Sequence, residues 1–289
     1  MLRSVVVFVF VFLFSLSQSK KDVDYCILDC NGETNTKCRR SDCSPVPGCK
    51  EEPMTDDIRR YFVDVHNKLR NQLALGEDLN FKDTVSNMRA ISYDTELEEM
   101  ARCHVNECKF GGSNVHDKCR RTSAFKWVGQ NVHYDKSSSF SNSWLYPNNT
   151  LYVVNSWYKE IIYLDPSTYE YFRYKLKDGI KNEKQVGHFT QLVWADTYKI
   201  GCARATKKFD QSVYKHGILF VCNYGPGGNI RSRQILKKGS PCSNCPANLT
   251  CNSKYAGLCG EVDKISGGNQ IKSVYTPIAS VFICAYLIF

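Results

Sequence analysis

Gly187-His188-Phe189-Thr190-Gln191-Leu192-Val193-Trp194 and Phe220-Val221-Cys222-Asn223-Tyr224-Gly225-Pro226-Gly227-Gly228-Asn229 are the stretches on which the fold turns. The first ends in an apolar run, 192–194, and the second overlaps another, 217–224; with 200–203 between them, they read as three short strands. Tyr198-Lys199 and the charged stretch 207–215 read as connections. Upstream the period changes. Ile58, Phe62, Val65, Leu69 and Leu73 recur at helical spacing behind Thr55 or Asp56 as cap, and Gly76 ends that helix. A second helix starts near Asp94, with Thr95 and Glu98 as a capping-box pair and Leu97, Ala101, Val105 and Cys108 on its apolar face. A third covers about 153–164, with Val153, Trp157, Ile161 and Leu164 on one side, and stops at Asp165-Pro166. Helices first and strands afterwards argue for an α+β domain with an antiparallel sheet.

Around this body the chain is rich in cysteine: 15 among 289 residues, with 43% hydrophobic content. That content supports a sizeable core, and that many cysteines points to an oxidising compartment. Residues 1–19 read as a secretory signal: Arg3, an apolar stretch from Val5 to Leu16, then the small residues Ser17 and Ser19 flanking Gln18. At the other end, Ser266, Gly267 and Gly268 precede a nine-residue spacer and a twelve-residue apolar tail, the layout of a glycolipid-anchor signal and so a route to membrane attachment. Cys284 lies in that tail, so its removal leaves an even number for pairing. The net charge of +9 would fall to +7, since the two ends hold Arg3 and Lys272 and no acid. Lys207-Lys208 and Arg231, Arg233, Lys237 and Lys238 are the local clusters; no nucleic-acid motif accompanies them.

Residues 25–49 carry five cysteines, few aliphatics and several turn formers, so this arm must be stapled to something else. Two aromatic stretches, 134–152 with Phe140, Trp144 and Tyr146, and 163–174 with Tyr169, Tyr171, Phe172 and Tyr174, read as loops that either pack on the core or offer a lipid surface. Asn148 and Asn248 head glycosylation acceptors, as suits a secreted surface.

The two stretches quoted first resemble, in order and spacing, the two signatures of the CAP superfamily, which includes cysteine-rich secretory proteins, antigen-five allergens and pathogenesis-related-one proteins. Gly129-Gln130-Asn131-Val132, His66-Asn67 through Arg70, and the Cys26 and Cys30 arm are similar to the arthropod antigen-five, or venom allergen, branch. The resemblance implies a three-layer α-β-α sandwich within the α+β class. It divides the chain into signal (1–19), disulfide-rich arm (20–50), CAP domain (51–236), cysteine-rich hinge-like module (237–260), and linker with tail (261–289). It implies a cleft tetrad at His116, Gln130, Glu160 and His188, with an amide at Gln130 where many members carry a glutamate. It also implies the pairs Cys26–Cys38, Cys30–Cys119, Cys49–Cys108 and Cys202–Cys222, and in the hinge Cys242–Cys251 and Cys245–Cys259. Cys43 and Cys103 are left over and are expected to form a seventh bond. A zinc knuckle could be drawn from Cys242 and Cys245, but secretion favours disulfides.

Two imidazoles and one carboxylate suffice for a borderline cation such as zinc, so His116 and His188 are candidate metal ligands, though no cofactor is required. Gln130 removes a charge and a general base. The leading expectation is a secreted, non-enzymatic venom-allergen-type protein that binds a small hydrophobic ligand (sterol or fatty acid, as the family resemblance suggests) or a host or surface protein partner. One alternative is a metal-dependent hydrolase built on His116, Glu160 and His188. The other is a channel or receptor modulator in venom or saliva, weakened because no six-cysteine block follows the hinge. No nucleophile elbow, His-Glu-x-x-His or phosphate loop occurs.

Overall fold

The computed structural model describes residues 23–112, 115–180, 184–210 and 213–265. The candidate signal, the anchor residues Ser266, Gly267 and Gly268, Cys284, and the side chain of Asn148 lie outside the described residues. In chain order the elements are α1 (Thr36–Arg39), β1 (Cys49–Glu52), α2 (Asp56–Ala74), β2 (Ser92–Tyr93), α3 (Thr95–Val105), β3 (Gly129–Ser137), α4 (Pro147–Tyr158), α5 (Gly187–Leu192), β4 (Lys199–Lys208) and β5 (His216–Gly225). The sheet order is β1-β4-β5-β3, antiparallel throughout, with the short β2 added parallel to β4.

The alternation of β4 and β5 explains the layers. Ala203, Ala205, Leu219 and Val221 face α3, where Ala101 and Val105 meet them. Ile200, Ile218 and Phe220 face the other way, into a larger core with Phe62 and Leu73 of α2, Val153 and Trp157 of α4, and Phe189 of α5. Helices cover both faces, so β4 and β5 are buried along nearly their whole length. The result is the α-β-α sandwich.

Helix boundaries follow local chemistry. Thr55 caps α2 by accepting from the Ile58 N–H, and Gly76, at φ +70°, ends it. For α3 the cap is Asp94, which accepts from the Leu97 N–H, and not the expected Thr95–Glu98 box. Glu98 is drawn off by Arg59, whose Nη2 and Nε lie 2.6 and 2.7 Å from it. The third helix starts earlier than its periodicity suggests, at Pro147, and ends in a 3-10 turn, Lys159–Tyr163.

Residues 192–194 are not a strand. Leu192 closes α5, and the chain beyond it is gathered by Arg70, which is fully buried on α2. Its guanidinium donates to the carbonyls of Leu192 (2.8 Å), Trp194 (2.9 Å), Ala195 (3.3 Å), Thr197 (3.1 Å) and Arg89 (2.8 Å), with no carboxylate among them. Burial lowers the Arg70 pKa to about 9, so the cation persists at neutral pH. One turn back, Asn67 exchanges two 2.8 Å hydrogen bonds with the backbone of Ile91. His66 donates from Nδ1 to the Phe62 carbonyl and accepts at Nε2 from the Tyr224 hydroxyl, at 2.8 and 2.9 Å. The His66-Asn67 to Arg70 segment is thus a buried polar seam joining α2 to the loops around it.

Among the described residues seven disulfides are present, joining the pairs named from the sequence: Cys26–Cys38, Cys30–Cys119, Cys43–Cys103, Cys49–Cys108, Cys202–Cys222, Cys242–Cys251 and Cys245–Cys259. Three of them fasten the arm to α3 and the loop after it, which anchors a segment too poor in apolar residues to pack alone. The C-terminal module packs on the body. Leu258 and Tyr255 are buried in the main core, and backbone hydrogen bonds link Ala90 and Met88 to Cys259.

Candidate functional site

The four tetrad residues come from four different segments. His116 lies on the loop after α3, Gln130 on β3, Glu160 on the 3-10 turn after α4, and His188 in the first turn of α5. His116, Gln130 and His188 line one cleft of about 800 Å³, together with Asn131, Tyr174 and the segment reaching Lys184.

Glu160 is fully committed. Its Oε1 lies 2.6 Å from His188 Nδ1, and its Oε2 accepts the backbone N–H groups of His188 and Phe189 at 2.9 and 3.1 Å. It therefore ties off the start of α5 and sets the imidazole in one move. Trp157 stacks on the same ring, 6.1 Å between centroids and 22° between planes.

The other half is neutral. His116 Nδ1 lies 2.8 Å from Gln130 Oε1, so the ring donates to the amide carbonyl. Gln130 Nε2 in turn donates to Asp117 Oδ1 at 2.9 Å and Asn223 Oδ1 at 3.0 Å. Asp117 is buried, which by itself would raise its pKa. Arg120 beside it (2.5 Å), with Thr36 donating at 2.6 Å, instead holds the carboxyl well below the usual range. An ionised Asp117 accepts only, which fixes the Gln130 amide with its nitrogen inward and its oxygen toward His116. Loss of hydration against the cleft wall, with Arg120 and His188 nearby, holds the His116 imidazole below its ordinary value; the Gln130 hydrogen bond opposes this.

Asp117 and Asn223 are site residues that sequence reasoning missed. Asp117 is adjacent to His116 but gives no spacing signal, and Asn223 sits inside a signature without an assigned role. The aromatic stretches divide: Trp144, Tyr169 and Phe172 are buried, whereas Phe140, Tyr146, Tyr171 and Tyr174 are exposed. Among the described residues, the groups of three metal-ligand types that come together are Cys242, Cys245 and Cys259, and Cys43, Glu99 and Cys103. Their sulfurs are all in disulfides and are not thiolate ligands. Asn248 is exposed.

Fold and cleft define a disulfide-stapled α-β-α domain with two imidazoles lining a shared cavity. The chain belongs to the Cysteine-rich secretory protein family (CAP), whose profile matches residues 63–224. Its relatives include a "CRISP/Allergen/PR-1" protein of Trittame loki, 36% identical over 76% of this chain and 51% of that one. Another is a "Cysteine-rich venom protein" of Tityus serrulatus, 32% identical over 80% of this chain and 52% of that one. The chain thus spans about half the length of these curated relatives. Among solved structures it resembles NaASP2 with Zn2+, at 25% identity and a TM-score of 0.51, over 75% of this chain and 100% of that one. The protein is of the venom-allergen and cysteine-rich secretory type.

Proposed function

We propose that this protein works by binding and not by catalysis, and that its cleft holds a divalent cation such as zinc between His116 and His188. The carrying observation is the use of one nitrogen per ring. Each imidazole gives Nδ1 to a fixed acceptor, which leaves Nε2 as the lone-pair nitrogen on the cleft side. Two imidazole nitrogens fit a zinc ion, which when bound would offer a Lewis-acid centre to a ligand oxygen. Two ligands make a weak site, because Glu160 and Gln130 are spent on orienting the rings.

The same hydrogen bonds argue against hydrolysis. A general base needs a free lone pair within reach of a water. Both Glu160 oxygens accept hydrogen bonds that orient His188 and the start of α5, and Gln130 cannot serve as a base, so any base would have to be an imidazole Nε2, the nitrogen a bound zinc would occupy. Zinc titration by calorimetry checks the reading: His188→Ala and His116→Ala should each lose zinc binding while keeping the wild-type circular dichroism spectrum. Unchanged zinc affinity in His188→Ala would sink it.

A small hydrophobic ligand is the second reading, and it moves away from the aromatic loops. A groove of about 820 Å³ between α2 and the C-terminal module is lined by Tyr61, Val63, Tyr255, Val262 and Ile265. Lipid extraction of the native protein followed by mass spectrometry tests it; a clean blank from a folded sample removes it.

A further inference from the structure

The central cleft has a sign. Lys175, Lys177 and Lys184 line the cleft, with Asp178 as the acid beside them. Lys175 is paired with Asp165 at 2.8 Å, whereas Lys177 and Lys184 form no ion pair among the described residues. Lys184 rests its ammonium 5.2 Å from the centre of the Tyr163 ring, which supports the side chain without neutralising it.

The facing acids do not balance this wall. Glu160 is tied to His188 and two backbone N–H groups. Asp117 is paired with Arg120 and lies behind Gln130. Gln130 is uncharged, so among the described residues lining the cleft Asp178 is the one carboxylate set against Lys177 and Lys184. Two ammonium groups against one carboxylate leave this concave lining net positive, and such a site draws the opposite charge. A cation on the two imidazoles would add to that pull.

We infer that the cleft takes a small ligand by an anionic oxygen group, phosphate, sulfate or carboxylate, with Lys177 and Lys184 receiving the charge. The inference rests on the cleft being the ligand site, but not on the metal. The ligand is distinguished from a membrane headgroup by its binding free in solution.

Inorganic phosphate and phenyl phosphate are titrated calorimetrically into the protein in EDTA, and sedimentation is measured with phosphatidylcholine vesicles with and without phosphatidate. Wild type should bind both soluble anions. Lys177→Glu/Lys184→Glu should weaken them at least tenfold, and Lys177→Gln/Lys184→Gln, milder for folding, by a smaller factor in the same direction. Both double variants should still bind zinc. Phosphate affinity unchanged by charge reversal, or no binding of either soluble anion by wild type, overturns the inference. Capture by phosphatidate vesicles without any response to soluble anions overturns it too. If zinc binding proves absent while anion binding follows the lysines, the metal reading falls and this one stands.

Discussion

Trp157 neighbours two histidines that the fold treats in opposite ways. The His66 ring lies 6.5 Å from it and the His188 ring 6.1 Å. His66 is fully buried with both nitrogens hydrogen-bonded inside the protein. His188, like His116, spends only Nδ1 and borders a cleft with the other edge. The number of nitrogens satisfied internally separates a histidine that holds the fold from one that can receive a ligand. The same contrast holds for the surroundings. On the α2 seam nearly every polar group closes on another, as with Arg70 and its carbonyls. In the cleft the hydrogen bonds orient side chains and then stop. Breaking the seam should cost stability; changing the cleft should cost affinity.

The largest effect is expected at Arg70. Arg70→Ala removes five hydrogen-bonded acceptors' donor at once and leaves buried carbonyls unsatisfied. A loss of about 3–5 kcal/mol in guanidinium unfolding is expected, since several buried carbonyls lose their donor at about 1–3 kcal/mol each, partly recovered by relaxation. A loss below about 1 kcal/mol would show that the loop after α5 is held by something else, and the contrast drawn above would collapse.

Arg70 also marks the boundary of what the sequence made legible. Its spacing on α2 was visible, but a buried cation reads as polar, and nothing local says that it faces carbonyls from a loop more than a hundred positions away. That clamp is why the apolar residues 192–194 do not form a strand. Strand β3 was equally hidden, since Gly129–Ser137 mixes polar and apolar residues and gains its identity only by pairing with β5. By contrast α2, α3, β4 and β5 showed through, because each carries an apolar period or run long enough to stand out. The cysteines and the tetrad positions came from likeness to a family. Their hydrogen-bond directions came only from coordinates.

Next in size is an acid effect that belongs to the seam. Burial, the main cause, lowers the His66 pKa to about 4, against about 6.5 in an unfolded chain. The folded state therefore favours the neutral ring. Its contribution is complete above about pH 6.5 and is lost as pH falls toward 4, where the unfolded chain takes up a proton that the folded one refuses. The difference corresponds to a loss on the order of 3 kcal/mol by pH 4. His116, whose pKa is also lowered, adds to the same window. Asp64 and Glu99, with pKa values lowered to about 2, lose their contributions in a separate, more acidic range. Unfolding curves at pH 7, 5.5 and 4 should show the decline. His66→Gln should start less stable and flatten it; an equal slope in that variant would place the titration elsewhere.

The smallest effect, and the most local, concerns why the cleft carries an amide at Gln130. Its Nε2 lies 2.9 Å from a carboxylate oxygen of Asp117, which Arg120 and Thr36 keep ionised. A glutamate there would place oxygen against oxygen, two negative groups in a part-buried space, and one of them would have to protonate or move. Gln130→Glu should therefore cost about 1–3 kcal/mol at neutral pH, through a lost hydrogen bond and an unpaired acceptor. The cost should shrink toward pH 5 as the new carboxyl protonates. Asp117→Asn in the same chain should recover most of it, since an Asn can turn its amide N–H toward the new carboxylate. On this account Asp117 dictates the amide, and the neutral half of the cleft follows from a buried charge one layer behind it. If Gln130→Glu is as stable as wild type at pH 7, or if Asp117→Asn fails to rescue it, that link between the two residues is broken.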